Sequence, residues 1–239
     1  MSKCMAQKQA NRVVRERLAT ERRRRRTLWI SVTGILVLIV AGIVGWGLLR
    51  SQTPEAFASP AGTTDDGGNK AGISVAGNGP AKVEVYLDFL CPACRNFETT
   101  GTPTINQLLA NNKIRLVWHP LGFLDNNSSP SGYSTRAANA AACAADAGKL
   151  KEYGEALFAN QPPEGGPGLS DDQLIDLGGP VRLNAPSFAQ CVRGMTYKDW
   201  VSNVNNKAAE RGVFQTPTVY VNGKELQQPT ADSLKAAVG

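Results

Sequence analysis

The stretch Val83-Glu-Val-Tyr-Leu-Asp-Phe-Leu-Cys-Pro-Ala-Cys94 decides how this chain is read. Val83, Val85, Leu87 and Phe89 recur at every second position, so a strand places them on one face. Cys91 then falls where a helix would begin. Pro92 follows at the first helical position, where its missing N–H costs nothing. A thiol at a helix N-terminus lies beside unpaired backbone donors and the positive end of the helix dipole, which favours its thiolate. Such a thiolate can attack a disulfide or leave one. A bare Cys-x-x-Cys is as compatible with a chance pair or half a zinc site as with redox chemistry. The strand before it and the helix after it favour the redox reading.

Downstream, a helix is expected over about 92–111, with Phe97, Ile105, Leu108 and Leu109 on its apolar stripe. Gly101 and Pro103 should kink it. Residues 113–118, Lys-Ile-Arg-Leu-Val-Trp, read as a second strand. Strand, helix and strand at this length form a right-handed crossover with parallel strands. From about 130 to 211 the pattern is helical, over Ser134–Ala147, Lys149–Asn160, a capping-box start at Ser170-Asp-Asp-Gln173, Asn184–Val192 and Met195–Arg211. Thr218–Val221 and Lys224–Gln227 flank Asn222-Gly223, a strong hairpin signal. A last helix starts near Thr230. The fold class is therefore α/β, with a central mixed sheet and a helical insertion.

Upstream, the chain changes character. It has 239 residues and a formal charge of +6. Residues 1–27 hold ten Lys/Arg and two Glu, whereas the remainder holds sixteen Lys/Arg and eighteen Asp/Glu. The basic balance thus belongs to a tail, and no basic patch with interleaved aromatics points to nucleic acid. Leu28–Leu49 is a run of twenty-two residues without a charge, about 33 Å as a helix, enough to cross a bilayer core. Trp29 and Trp46 sit near its ends. Arg22–Arg26 precede it, so the positive-inside rule keeps the tail cytoplasmic and sends the rest outside. Ala56-Phe-Ala58 resembles a cleavage site, but the apolar run is longer than a signal peptide needs. An uncleaved anchor is favoured. Residues 50–79 are rich in small and polar types and read as a flexible linker of about 30 Å reach, ending in a short edge strand at Ile73–Val75. The expected organisation is a cytoplasmic tail at 1–27, a transmembrane helix at 28–49, the linker at 50–79 and one domain at 80–239.

Asp88-Phe-Leu-Cys-Pro-Ala-Cys94, the helical insertion, and Thr216-Pro217-Thr218 before a hairpin together resemble the DsbA-like thioredoxin-fold disulfide oxidoreductases. The nearest likeness is to membrane-anchored actinobacterial forms, and it covers roughly residues 72–239. The resemblance implies a thioredoxin fold. It makes Cys91 the nucleophile that joins substrate in a mixed disulfide and Cys94 the buried partner that closes or reopens the pair. Pro92 and Ala93 become the tuning dipeptide. A histidine that strongly oxidising members carry there is missing, which suggests a potential between roughly −270 and −120 mV. Thr216–Pro217 becomes a cis bond whose backbone meets an extended substrate segment. Asp88 is either a proton acceptor for Cys94 or a helix-start partner.

Four cysteines, Cys91, Cys94, Cys143 and Cys191, follow the apolar run, and Cys4 precedes it as a free thiol. An even number outside the membrane is consistent with two bridges. The resemblance suggests that Cys143 and Cys191 form a second disulfide; two buried thiols are the alternative. No second close-spaced pair supports a zinc site, and no phosphate or dinucleotide motif implies a cofactor. His119, the lone histidine, has a structural or surface role. The chain is thus expected to be a membrane-anchored, extracytoplasmic thiol:disulfide oxidoreductase. It would act on exported cysteine-containing proteins, with a DsbB- or VKOR-type membrane protein as its reoxidant. A reductase or isomerase serving cytochrome c maturation, and a redox-inactive binding module, are the alternatives.

Overall fold

The computed structural model describes residues 57–66 and 69–239, together with Gly42. The basic tail, the expected transmembrane helix apart from Gly42, the first part of the linker and Cys4 lie outside the described residues. Among the described residues, no helix is long and apolar enough to cross a membrane.

Six strands form one mixed sheet. They are β1 (Thr63–Asp66), β2 (Asn69–Ala76), β3 (Ala81–Leu87), β4 (Ile114–Pro120), β5 (Thr218–Val221) and β6 (Lys224–Glu225). Their spatial order is β1-β2-β4-β3-β5-β6. β3 and β4 run parallel, with Val83 opposite Leu116 and Val85 opposite Trp118. Every other pairing is antiparallel. Helix α1 (Pro92–Ala110) makes the crossover between the parallel strands. Between β4 and β5 the chain inserts α2 (Tyr133–Asp146), α3 (Leu150–Ala159), α4 (Asp171–Asp176), α5 (Pro186–Arg193) and α6 (Lys198–Glu210); α7 (Ala231–Val238) closes it.

Two sequence expectations need correction. The segment 50–79 is not a linker throughout, because β1 and β2 within it are paired into the sheet. Nor is Ile73–Val75 an edge, since β2 lies between β1 and β4. The polar composition hid this strand because it buries little side chain of its own. Ala71 and Ile73 enter the core, and Gly72 lets neighbouring groups close in. A Cβ at Gly72 would lie 2.7 Å from Val117 and 2.8 Å from His119. The Trp200 indole of α6 donates to the Lys70 carbonyl at 2.8 Å and pins the strand from the helical side. Helix α1, for its part, is a continuous helix through Gly101 and Pro103.

Alternation along β3 sorts two environments. Val85 and Leu87 face α1, where they line a small apolar cavity with Cys94, Phe97, Ile105 and Trp118. Glu84 and Tyr86 are buried on the other face. Arg211 clamps the Glu84 carboxylate with bonds of 2.9 and 3.1 Å, and Lys82 Nζ lies 3.2 Å from it. Burial opposes the Glu84 charge, but the His119 ring and the Arg211 guanidinium beside it outweigh burial and hold this carboxyl far below its usual range. His119 proves structural and buried. Its Nδ1 donates to the Ala71 carbonyl at 2.9 Å, and its ring stacks on Tyr86 with centroids 4.0 Å apart.

Candidate active site

β3 ends at Leu87, and Asp88-Phe-Leu carries the chain from the strand to α1. Phe89 and Leu90 are fully buried beneath this turn, and the Phe89 ring packs on Phe158 of α3 at 5.0 Å. Cys91 caps α1 in an extended conformation, with φ −72° and ψ 118°, and Pro92 opens the helix. One turn on, Cys94 points into the fold. Both are free thiols. Pro92 and Ala93 between them are exposed.

The two thiols differ in electrostatics more than in exposure. Cys91 is 7% exposed and Cys94 2%, so both sulfurs are covered. Thr216 covers Cys91: in its protonated form the Cys91 thiol donates to the Thr216 carbonyl at 3.3 Å. The Cys91 pKa is lowered to about 6. A hydrogen bond from the Cys94 thiol is the main cause. The Thr216 side chain and the N–H groups of Ala93 and Cys94 at the helix start add to it, against the opposing effect of burial. Burial, together with the proton it shares with Cys91, pushes the Cys94 thiol well above its ordinary value. The pair therefore holds one thiolate and one thiol across neutral pH.

Asp88 is fully buried and caps no helix, so the helix-start role falls away. Its Oδ1 accepts from the Leu90 N–H at 2.8 Å and from the Ser134 hydroxyl at 2.7 Å; its Oδ2 accepts from the Leu124 N–H at 2.9 Å. Its own N–H donates to Cys94 Sγ at 3.5 Å. Burial raises the carboxyl pKa to about 6 despite these donors. Asp88 thus ties the cysteine turn to α2 and to the loop before it. Thr216–Pro217 is a cis bond, and so is Ser129–Pro130, which the sequence reading did not single out. Phe214, two residues before Thr216, is 77% exposed and is the large exposed hydrophobic residue among those described.

A family model for thioredoxin matches residues 71–239. This chain belongs to the thioredoxin family. Within it the likeness is to disulfide oxidoreductases. Oxidised DsbA of Mycobacterium tuberculosis is 31% identical, with a TM-score of 0.60 over 78% of this chain and 88% of that one. A probable disulfide bond formation protein D from Bacillus cereus is 25% identical over 213 residues, covering 87% of this chain and 92% of that protein. The thiol-disulfide oxidoreductase MdbA of Actinomyces oris, 22% identical with a TM-score of 0.59, shares the fold over 78% of this chain and 95% of its own. The chain is a DsbA-like thiol-disulfide oxidoreductase.

In this thioredoxin-family oxidoreductase, Cys91, Cys94, Thr216, Pro217 and Asp88 converge as the sequence implied. Cys143 and Cys191 stand apart from them: they form a disulfide between α2 and α5, with Cα atoms 5.9 Å apart. Three contributors had no signal in the sequence. Ser134 and the Leu124 N–H hold Asp88, and the Gln161 amide reaches the cysteine turn from the end of α3.

Proposed function

We propose that this oxidoreductase is a disulfide donor, anchored in the membrane by Leu28–Leu49 and acting on exported cysteine-containing proteins. The observation that carries the reading is the split between the two thiols. In the oxidised enzyme a substrate thiolate attacks Cys91 Sγ. The Cys91–Cys94 bond breaks, and Cys94 leaves and takes up a proton, as its raised pKa favours. A second substrate thiolate then attacks the substrate sulfur of the mixed disulfide and expels Cys91. The substrate gains a disulfide and the enzyme ends as a dithiol. Cys91 departs readily because its thiolate is held at the helix start, and leaving-group thiols of low pKa leave faster. Stabilising this thiolate stabilises the reduced enzyme, so the disulfide is oxidising.

Exposed Pro92 and Ala93 flank the nucleophile where a substrate approaches, and Thr216 offers backbone beside it. The apolar run and the arginines before it support a cytoplasmic N-terminus and an extracytoplasmic catalytic domain. A quinone-linked membrane protein of DsbB or VKOR type would restore the Cys91–Cys94 disulfide.

Oxidative refolding of reduced ribonuclease tests the reading. Oxidised enzyme in stoichiometric amount should form ribonuclease disulfides and itself become reduced. Retention of the Cys91–Cys94 disulfide after incubation with reduced substrate would refute the donor role.

A further inference from the structure

Helix α3 ends at Ala159 with Asn160 as its cap, and Gln161-Pro162-Pro163 follow. A residue before proline is kept out of helical conformation, so Gln161 cannot extend α3. Its side chain instead lies over the cysteine turn. Gln161 Nε2 donates to the Phe89 carbonyl at 3.0 Å and to the Cys91 carbonyl at 2.9 Å. Both amide hydrogens are thereby used. The Phe89–Phe158 ring contact brings the end of α3 to this place. Beyond it, the Ser129 N–H donates to the Gly166 carbonyl and the Gly165 N–H to the Asn127 carbonyl. The loop carrying Gln161 is thus fastened to the loop whose Leu124 N–H holds Asp88.

The geometry points to Gln161 as a positioning residue for the nucleophile: by holding the carbonyls on either side of Leu90, it fixes the turn that aims the helix-start N–H groups at Cys91 Sγ. This inference rests on the reading of Cys91 as the reacting thiol. Two effects follow from it. The peptide planes of the turn are locked, so the Ala93 and Cys94 N–H groups stay directed at the sulfur. The negative ends of two carbonyl dipoles close to the thiolate are also neutralised by amide hydrogens. The titratable groups facing Cys91 are Cys94 and Asp88. Neither is hydrogen-bonded to Gln161, so an uncharged substitution at Gln161 acts through the turn.

The test uses Gln161→Met, which keeps the length, adds no charge and removes both donors, and Gln161→Ala, which lets water reach the carbonyls. For the full-length protein, alkylation of reduced Cys91 is followed against pH, and the pair is equilibrated with glutathione. In Gln161→Met the alkylation profile should move to higher pH. The equilibrium should shift at least tenfold towards the enzyme disulfide, about 30 mV for this two-electron couple. Gln161→Ala should move both in the same direction by less, and it keeps the test open should the Met variant not fold. If both quantities stay within twofold of wild type, the inference is overturned, whatever happens to thermal stability. The donor reading fails on a separate result, the failure of wild-type enzyme to oxidise reduced ribonuclease.

Discussion

Cys91 and Cys94 sit one helical turn apart and are pushed in opposite directions. Alkylation of reduced Cys91 should have a midpoint near pH 6, against about 8.5 for a free thiol. A midpoint at or above the free value would remove the physical basis for a fast donor. Trapping should be equally lopsided. Cys94→Ala should accumulate mixed disulfides through Cys91, because no thiol remains to resolve them, and Cys91→Ala should trap none. The folded pKa of Cys91 is depressed, so its ionisation contributes stability to the reduced protein that is fully present above the unfolded value. That stability is lost as the pH falls through about 6. Denaturation of the reduced protein between pH 8 and 6, approximate limits set by the free thiol value, should show this loss, and Cys91→Ala should not. Ser134 donates its hydroxyl to a buried, charged Asp88. Ser134→Ala should cost about 1.5–3 kcal/mol at neutral pH, read from denaturant midpoints; a change below about 0.5 kcal/mol would mean that Asp88 does not depend on it.

Elements were legible where chemistry is local. Alternation gave β3. Asn222-Gly223, both at positive φ, gave the β5–β6 hairpin. The capping box read at Ser170 formed with both reciprocal bonds, and the last helix starts from a Thr230 cap, where a helix start was expected. What stayed hidden depends on distant partners. β2 is a strand because β1 and β4 flank it and Gly72 permits the approach. Gln161 and Ser134 meet the cysteine turn across long stretches of chain, and no motif carries that information. Two element-scale tests follow. The Cys143–Cys191 bridge closes a separation of 48 residues; removing both cysteines should cost about 4 kcal/mol on the chain-entropy model. The variant should keep the Cys91 alkylation profile, since the bridge lies outside the site. α3 docks through Gly154, where a Cβ would come within 2.4 Å of the Trp118 ring. Gly154→Ala should therefore destabilise by about 1–3 kcal/mol, and an unchanged midpoint would show that the helix can shift freely.

At the scale of the molecule, the parallel β3–β4 pair brings Cys91 to the sheet's C-terminal edge, and the β5 hairpin brings Thr216–Pro217 against it. The helical insertion then holds the turn from the other side through Ser134, Leu124 and Gln161. The sequence announced the first two parts of this assembly because each lies next to a turn or a cysteine. The third is a product of tertiary packing alone. The proposed membrane location is argued from the apolar run after Arg22–Arg26. Protease added outside intact cells should degrade the domain after residue 51 and spare residues 1–27; soluble, exported protein beginning at Ser59 would mean that the anchor is cleaved. The donor reading itself meets its most direct test in the equilibrium of the Cys91–Cys94 pair of the full-length protein against glutathione buffers. A potential clearly more oxidising than that of thioredoxin, roughly −270 mV, is expected from the stabilised Cys91 thiolate. A potential at or below that value would contradict the account and make the chain a reductant.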